Sequence, residues 1–454
     1  MATTLKSINP FTGKTLETYN LFTDSAVNTA LDKAQEAFLE WKLLDIEDRT
    51  ELLEEITALL EKNKQQYSEL MSNEMGKPIS QSIAEIEKCM TLCEFYDTNA
   101  DELLADEVIE TEAYESFISY DPLGIILGIM PWNYPFWQVL RFAIPTLMAG
   151  NTVLLKHAAN VSGCALIIED LFKAAGFPEG CFQTLLVNHT QIETIIEDPR
   201  VKAVSLTGSE KAGRTIAAIA GKNLKKSVLE LGGNNACIIL KDADLETHID
   251  TIVNARMQNT GQSCIAAKRF IVEAPIYDKF LELFTTKVEA LKQGNPLDTD
   301  TQITVLARPD LADILEKQVN DSVEKGAKVI TGHIKKGAYF QPTIITNSAP
   351  GMPIFDEETF GPVAAITKVN NADEAYQMAS NTLLGLGAMV FTEDIDDALD
   401  RITDIEDGAF FINSLVKSDV RLPFGGTKNS GYGRELSREG ILEFTNKKTV
   451  YANK

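Results

Sequence analysis

The sequence predicts an α/β fold with two α/β domains, the first built on a parallel, doubly wound sheet. Three observations lead there. Short apolar runs alternate with helical patterns from Gly124 to Leu231, at lengths that suit buried strands joined by crossover helices. A second alternating series runs from Ala236 to about Phe411. Ahead of both, from Asp24 to about Ala105, the apolar spacing is helical throughout. A chain of 454 residues has room for two or three domains and a large core.

Residues 1–20 alternate in polarity around a turn at Asn9-Pro10-Phe11-Thr12-Gly13, which marks an opening hairpin. Asp24-Ser25 can cap a helix whose apolar stripe holds Val27, Leu31, Ala34 and Phe38. A second helix runs from about Asp45 through Leu60, and helical pattern continues to Tyr96. Residues 107–121 are rich in Thr, Tyr, Ser and Ile and short of core-sized side chains. They predict a projecting strand able to pair with another subunit, and the extended tail Thr445–Ala452 can pair with it.

Strands are expected at Gly124–Met130, Thr152–Lys156, Phe182–Val187, Val201–Leu206 and Ser227–Leu231, with a helix to Ala175 between the second and third. In a parallel sheet, ligands sit at the carboxyl ends of the strands. The second series places a strand at Lys268–Val272, helices at Ile276–Leu291 and Pro309–Lys325, and a strand at Val390–Thr392.

Composition excludes some functions. Asp plus Glu is 66 against 42 Lys plus Arg, a net charge of −24, where a nucleic-acid partner calls for a basic surface. No apolar run reaches bilayer length, and Met1–Pro10 lacks the apolar stretch of a secretory signal. Six scattered cysteines (Cys89, Cys93, Cys164, Cys181, Cys237, Cys264) fit free thiols in a reducing cytoplasm. Cys89 and Cys93 share a helix face, as core packing or as half of a metal pair. The four histidines (His157, His189, His248, His333) show no ligand spacing, so no metal site is expected.

One stretch carries chemistry: Asn259-Thr260-Gly261-Gln262-Ser263-Cys264. A cysteine in such a turn can face a substrate while neighbouring backbone N–H groups lower its pKa, since the thiolate is the nucleophile. The alternative is a small buried hydrophobe. Upstream stand Glu230, in Leu229-Glu230-Leu231-Gly232-Gly233-Asn234, and Asn133, in Pro131-Trp132-Asn133-Tyr134-Pro135. A nucleophile, a carboxylate base and an amide donor are the parts an acyl-transfer site needs. Thr207-Gly208-Ser209 at a strand-to-helix turn suits a pyrophosphate or a plain helix cap. Lys156 ends an apolar strand, where it meets a ribose or phosphate or simply solvent. Pro423–Glu435 is a dense glycine loop, functional or a structural corner.

Together with Glu358-Thr359-Phe360-Gly361-Pro362, these motifs resemble the aldehyde dehydrogenase superfamily in order and spacing over essentially the whole chain. The resemblance implies a Rossmann-like cofactor domain (1–105 and 122–231), an α/β catalytic domain (232–437) and a small β oligomerisation arm (106–121 and 438–454), in a homodimer or dimer of dimers. It implies that Cys264 attacks an aldehyde, that Asn133 and the Cys264 N–H hold the oxyanion, that hydride leaves for a nicotinamide, and that Glu230 activates the hydrolytic water. Cofactor contacts carried over are Trp132, Asn133, Lys156, His157, Ala158, Ala159, Gly208, Ser209, Leu231, Glu358 and Phe360.

Within the family, Lys156-His157-Ala158 and Leu415-Val416-Lys417-Ser418-Asp419 resemble the bacterial branch of the succinate-semialdehyde dehydrogenases. Arg141 then matches an arginine that binds the substrate's distal carboxylate, the alternative being a surface salt bridge; Gln138, Gln258 and Ser418 add hydrogen bonds. NAD-preferring relatives tend to carry Glu at the position of Ala159, so the absence of that carboxylate tilts the choice to NADP, with NAD possible. Gln258 stands where some relatives carry a second arginine. The other readings are oxidation of glutarate semialdehyde or an aliphatic aldehyde, and, in another class, a cysteine hydrolase or thioesterase.

Overall fold

The computed structural model describes residues 3–454. It opens with the expected hairpin, β1 (Thr4–Ile8) antiparallel to β2 (Thr15–Asn20). Asn9 Oδ1 accepts the N–H groups of Phe11 and Thr12 at 3.0 and 2.9 Å, which closes the turn. Three long helices follow: α1 (Asp24–Trp41), α2 (Ile46–Met75) and α3 (Ile79–Leu104). The cap of α1 is Thr23, just before the expected pair, with its hydroxyl accepting from Ala26 N–H at 3.2 Å. Helix α2 runs past Leu60 because Tyr67, Met71 and Met75 continue its buried face, and it stops at Gly76 in the left-handed region. Cys89 and Cys93 lie in the core on the inner face of α3.

Beyond β3 (Glu107–Val108), the projecting strand β4 (Glu115–Pro122) pairs along its whole length with Thr445–Ala452, antiparallel, from Thr445 opposite Pro122 to Ala452 opposite Glu115. The first large sheet then begins. Its elements are β5 (Ile125–Met130), α4 (Trp137–Met148), β6 (Thr152–His157), α5 (Ser162–Ala174), β7 (Phe182–Thr184), α6 (His189–Glu197), β8 (Val201–Thr207), α7 (Glu210–Lys222) and β9 (Lys226–Glu230).

The strand order is Gly431–Tyr432, β9, β8, β5, β6, β7, parallel except for the first pair. Strand β5 is buried on both faces, which is why it reads as an unbroken apolar run. Strands β6 and β8 are buried over most of their length and are apolar except at polar positions such as Lys156 and Lys202, which are the ones that reach outward. Strand β7 is shorter than expected because Val187 N–H turns back onto the Leu185 carbonyl at 3.0 Å. The chain builds outward from β5 to β7, then crosses to β8 on the other side of β5. That reversal opens a crevice at the carboxyl ends of β5 and β8.

The second sheet orders Lys328–Thr331, Thr343–Thr346, Val363–Val369, Arg269–Glu273, Ala236–Ile239, Ala388–Phe391 and Phe410–Ile412. All pairs are parallel but the first. Helix α8 (Leu245–Met257) packs beside it and delivers the chain to Cys264, just ahead of strand Arg269–Glu273. Among the described residues no helix is long and apolar enough to cross a membrane.

Candidate active site

Cys264 sits on a backbone that few sequences would adopt unaided. Asn259, Thr260 and Gly261 are all left-handed, with φ of 53°, 54° and 74°. For a β-branched threonine this conformation is costly, on the order of 1–3 kcal/mol, and persists only where surrounding contacts impose it. Here they do. Asn259 Nδ2 donates to the Asn133 carbonyl at 2.8 Å and its N–H donates to Gln81 Oε1 at 2.6 Å. Thr260 Oγ1 accepts Thr304 N–H at 3.1 Å, and Gln262 Oε1 accepts Ala307 N–H at 2.8 Å. A Cβ on Gly261 would lie 2.3 Å from the Gly361 carbonyl oxygen, so the position admits only glycine.

The carbonyls flanking the nucleophile are held too. Lys268 Nζ donates to those of Ser263 and Cys264 at 2.8 and 2.6 Å, and Asn235 Nδ2 to that of Cys264 at 3.0 Å. Asn133 Nδ2 donates to the Gln262 carbonyl at 3.3 Å, which ties the predicted oxyanion donor to the nucleophile loop. The second Nδ2 proton and, among the described residues, the Cys264 N–H have no acceptor within the protein. Two unspent donors thus belong to the nucleophile loop and the residue tied to it.

Cys264 alone of the six cysteines is not fully buried. It borders a cavity of about 260 Å³ whose wall includes Tyr134, Trp137, Gln138, Arg141, Gln258 and Ser418. All four predicted substrate contacts therefore meet the predicted nucleophile at one cavity. Phe424, from the glycine loop, lines it as well, and so does Lys88, which belonged to no motif. Arg141 is not a surface residue. It is buried over the Phe424 ring, and its Nε meets Glu435 Oε2 at 2.5 Å. Its Nη2 and the neighbouring Gln138 Oε1 are buried without partners.

The Cys264 thiol departs from expectation. Burial pushes its pKa up to about 11, against the opposing pull of Lys268 and Arg141. Desolvation of the thiolate outweighs the local dipoles, so the resting site holds the thiol.

Glu230 ends β9, buried, with neither carboxyl oxygen hydrogen-bonded. Burial first, then repulsion from Glu435, raises its pKa well above the usual carboxylate range, while Arg141 and Arg434 pull it down. The glycine loop explains its surroundings. A Cβ on Gly425 would lie 2.7 Å from Glu230 Oε1, and Gly431–Tyr432 adds to the sheet edge opposite Glu230 and Leu229. The loop is both a structural corner and a wall of the site.

On the crevice side, Lys156 reaches the carboxyl end of β6 half-buried, followed by exposed Ala159. Gly208 follows β8, and Ser209 is the N-cap of α7, its hydroxyl accepting from Ala212 N–H at 3.3 Å. Leu231 is buried against Gly213 of the same helix. The Trp132 and Phe360 rings meet edge to face at 5.7 Å. Glu358 accepts the Gly233 N–H at 3.1 Å and stands 3.3 Å from Lys268 Nζ.

His157 corrects the expected cofactor set. It alternates with Lys156 along β6 and so points to the opposite face. There it is buried, with Nε2 3.0 Å from the Pro135 carbonyl and Nδ1 accepting the Ala158 N–H at 2.9 Å. Nδ1 also stands 3.1 Å from the Met130 carbonyl, so the ring is wedged between the backbone of β5 and that of the 131–135 turn. Burial holds the imidazole's pKa down to about 4, so it is a neutral brace for the 131–135 turn. Ala158 serves that brace through its backbone. His189, which had no assigned role, begins α6 near Lys156, and the lysine's charge is the first cause holding its pKa down.

Comparison with known proteins agrees with this architecture. The sequence pattern of the aldehyde dehydrogenase family matches residues 1–450. A Synechocystis protein named "Probable succinate-semialdehyde dehydrogenase", NADP(+), is 48% identical over 98% of this chain and 99% of its own. A Mycobacterium tuberculosis succinate-semialdehyde dehydrogenase, NADP(+), is 45% identical over 98% and 99%. Among solved structures, the succinic semialdehyde dehydrogenase of Streptococcus pyogenes, in complex with NADP+, superposes with a TM-score of 0.97 at 35% identity, covering 99% of this chain and 100% of that one. With a full-length match and a shared architecture, this chain belongs to the aldehyde dehydrogenase family.

Proposed function

We propose that the protein oxidises succinate semialdehyde to succinate with NADP, through a covalent adduct on Cys264. The observation that carries the substrate is the cavity of Cys264, where Arg141 keeps a buried, unpartnered Nη2 and Ser418 stands nearby. A buried guanidinium N–H without a partner suits a carboxylate, which accepts a charge-assisted hydrogen bond from it. Succinate semialdehyde has an aldehyde at one end and a carboxylate at the other. The relatives with those names support the same reading.

The residues of the crevice fit a dinucleotide. Lys156 has no carboxylate partner among the described residues, and Ala159 presents no charge, which favours the 2′-phosphate of NADP over the bare ribose of NAD. Glu358 would hold a ribose hydroxyl, with Phe360 and Trp132 packing beside it. Bound there, NADP supplies the hydride acceptor.

The chain's own residues do the rest. Cys264 gives its proton to solvent water and its thiolate adds to the aldehyde carbon, while the oxyanion accepts hydrogen bonds from the free N–H of Asn133 Nδ2 and from the Cys264 N–H. After hydride has left, a thioester remains on Cys264. Glu230 takes a proton from water as the water attacks the thioester carbon; the C–S bond breaks, the acid leaves, and the proton held by Glu230 returns to the Cys264 sulfur.

The arm of β4 and Thr445–Ala452, with exposed Val108, Ile109 and Tyr114 beside it, supports a homodimer or dimer of dimers. Six unpaired cysteines support a reducing compartment such as the cytoplasm. The direct test of the nucleophile is Cys264→Ala, followed by NADPH formation from succinate semialdehyde. Turnover should vanish while the fold is kept; turnover close to wild type would overturn the mechanism.

A further inference from the structure

Lys88 enters the cavity of Cys264 from α3, away from every motif discussed above. Its ammonium donates to Ser418 Oγ at 2.6 Å and lies 4.0 Å from the centre of the Trp137 ring. A hydroxyl and an aromatic face thus fix the cation from two sides. It has no counter-ion. Among the described residues, no carboxylate forms an ion pair with it. Glu85, one turn earlier on α3, is taken by Lys77 and by the N–H groups of Phe136 and Trp137, each at 2.9 Å. Asp419, next to Ser418, is held by Arg421 at 2.7 Å.

Arg141 lines the same cavity, and its charge acts on Lys88. After burial, it is the largest influence lowering the lysine's pKa, to about 8, which still leaves the ammonium mostly protonated near neutral pH. Two cations therefore face one cavity, with Glu435 paired to only one of them. An anion between them would relieve the repulsion and satisfy both. Ser418 is set for the same purpose. Because its oxygen accepts from Lys88, its own proton remains free to be donated.

We infer that Lys88 is a second cation for the distal carboxylate of the substrate, binding it opposite Arg141 and setting the Ser418 hydroxyl to donate to it. The inference rests on the substrate reading above and adds to it the residue that, with Arg141, selects acids over neutral aldehydes. Chemically, the site takes short aldehydes that carry a terminal carboxylate.

The test compares wild type, Lys88→Met and Lys88→Arg on succinate semialdehyde and butyraldehyde at saturating NADP, with succinate as a dead-end inhibitor. Methionine keeps most of the apolar stem over Trp137 and removes the charge. Lys88→Met should lose about 10- to 100-fold in kcat/KM on succinate semialdehyde, mostly through KM, with a matching rise in the succinate inhibition constant. The loss on butyraldehyde should be at least about tenfold smaller. Lys88→Arg should recover much of the difference. Thermal unfolding checks each variant, and Lys88→Gln is read the same way if the methionine variant does not fold. Equal losses on both aldehydes, or an unchanged succinate constant, would overturn the role of Lys88 while the wild-type preference for succinate semialdehyde stands. A wild type without that preference would overturn the substrate reading itself, and this inference with it.

Discussion

Arg141 and Glu435 form an ion pair inside the protein, Nε to Oε2 at 2.5 Å, and through it the two halves of the site share one balance of charge. Arg141 lines the cavity of Cys264, while Glu435 is the charge that most raises the pKa of Glu230. Neither the Arg141 side nor the Glu230 side can be altered without touching the other.

That coupling decides how Arg141 should be tested. Arg141→Ala alone leaves Glu435 buried and unpaired, a loss of roughly 3–5 kcal/mol in stability, and it should slow every aldehyde by pushing Glu230 further toward its acid form. Arg141→Ala with Glu435→Gln removes both charges. The double variant should melt above the single one. It should also lose about 30- to 1000-fold in kcat/KM on succinate semialdehyde relative to butyraldehyde. Equal losses on the two aldehydes in the double variant would make Arg141 structural.

Glu230 makes a prediction in pH. Its pKa is raised, so it is protonated, and useless as a base, to higher pH than an ordinary carboxylate. The rate of thioester hydrolysis should therefore climb as pH rises through that pKa and then level off. In Glu230→Gln, a rapid burst of NADPH should persist, followed by a much slower steady state without that climb. Rapid-mixing measurements of burst and steady state would show it. Loss of the burst itself would move Glu230 from hydrolysis to thiol activation.

Ala159→Glu should reverse the cofactor preference. A carboxylate beside Lys156 repels a 2′-phosphate and accepts from free ribose hydroxyls. The ratio of kcat/KM for NADP over NAD should fall by roughly one to two orders of magnitude, measured at fixed aldehyde. An unchanged ratio would place the 2′-phosphate away from Ala159.

Much of this was legible in the sequence, for physical reasons. Strand β5 is apolar on both faces, and the Val153–Leu155 centre of β6 is too, so their runs read plainly as buried strands. The Cys264 loop announces itself because Gly261 must pass within reach of the Gly361 carbonyl. His157 was misplaced because proximity to Lys156 in sequence hides the alternation of faces along a strand. The thiol's raised pKa depends on how deeply the folded chain buries Cys264, which no local motif encodes. Lys88 was invisible for a similar reason. On an amphipathic helix a lysine reads as a solvated residue, and only the tertiary fold brings it to Ser418, far along the chain.

The central claim is that Cys264 acts on an aldehyde whose far end is a carboxylate held in the cavity. The most direct measurement is the ratio of kcat/KM for succinate semialdehyde over butyraldehyde, with NADP saturating and the wild-type enzyme. The account predicts a ratio of at least about 30, the worth of one charged hydrogen bond in a desolvated pocket. A ratio near one would contradict it.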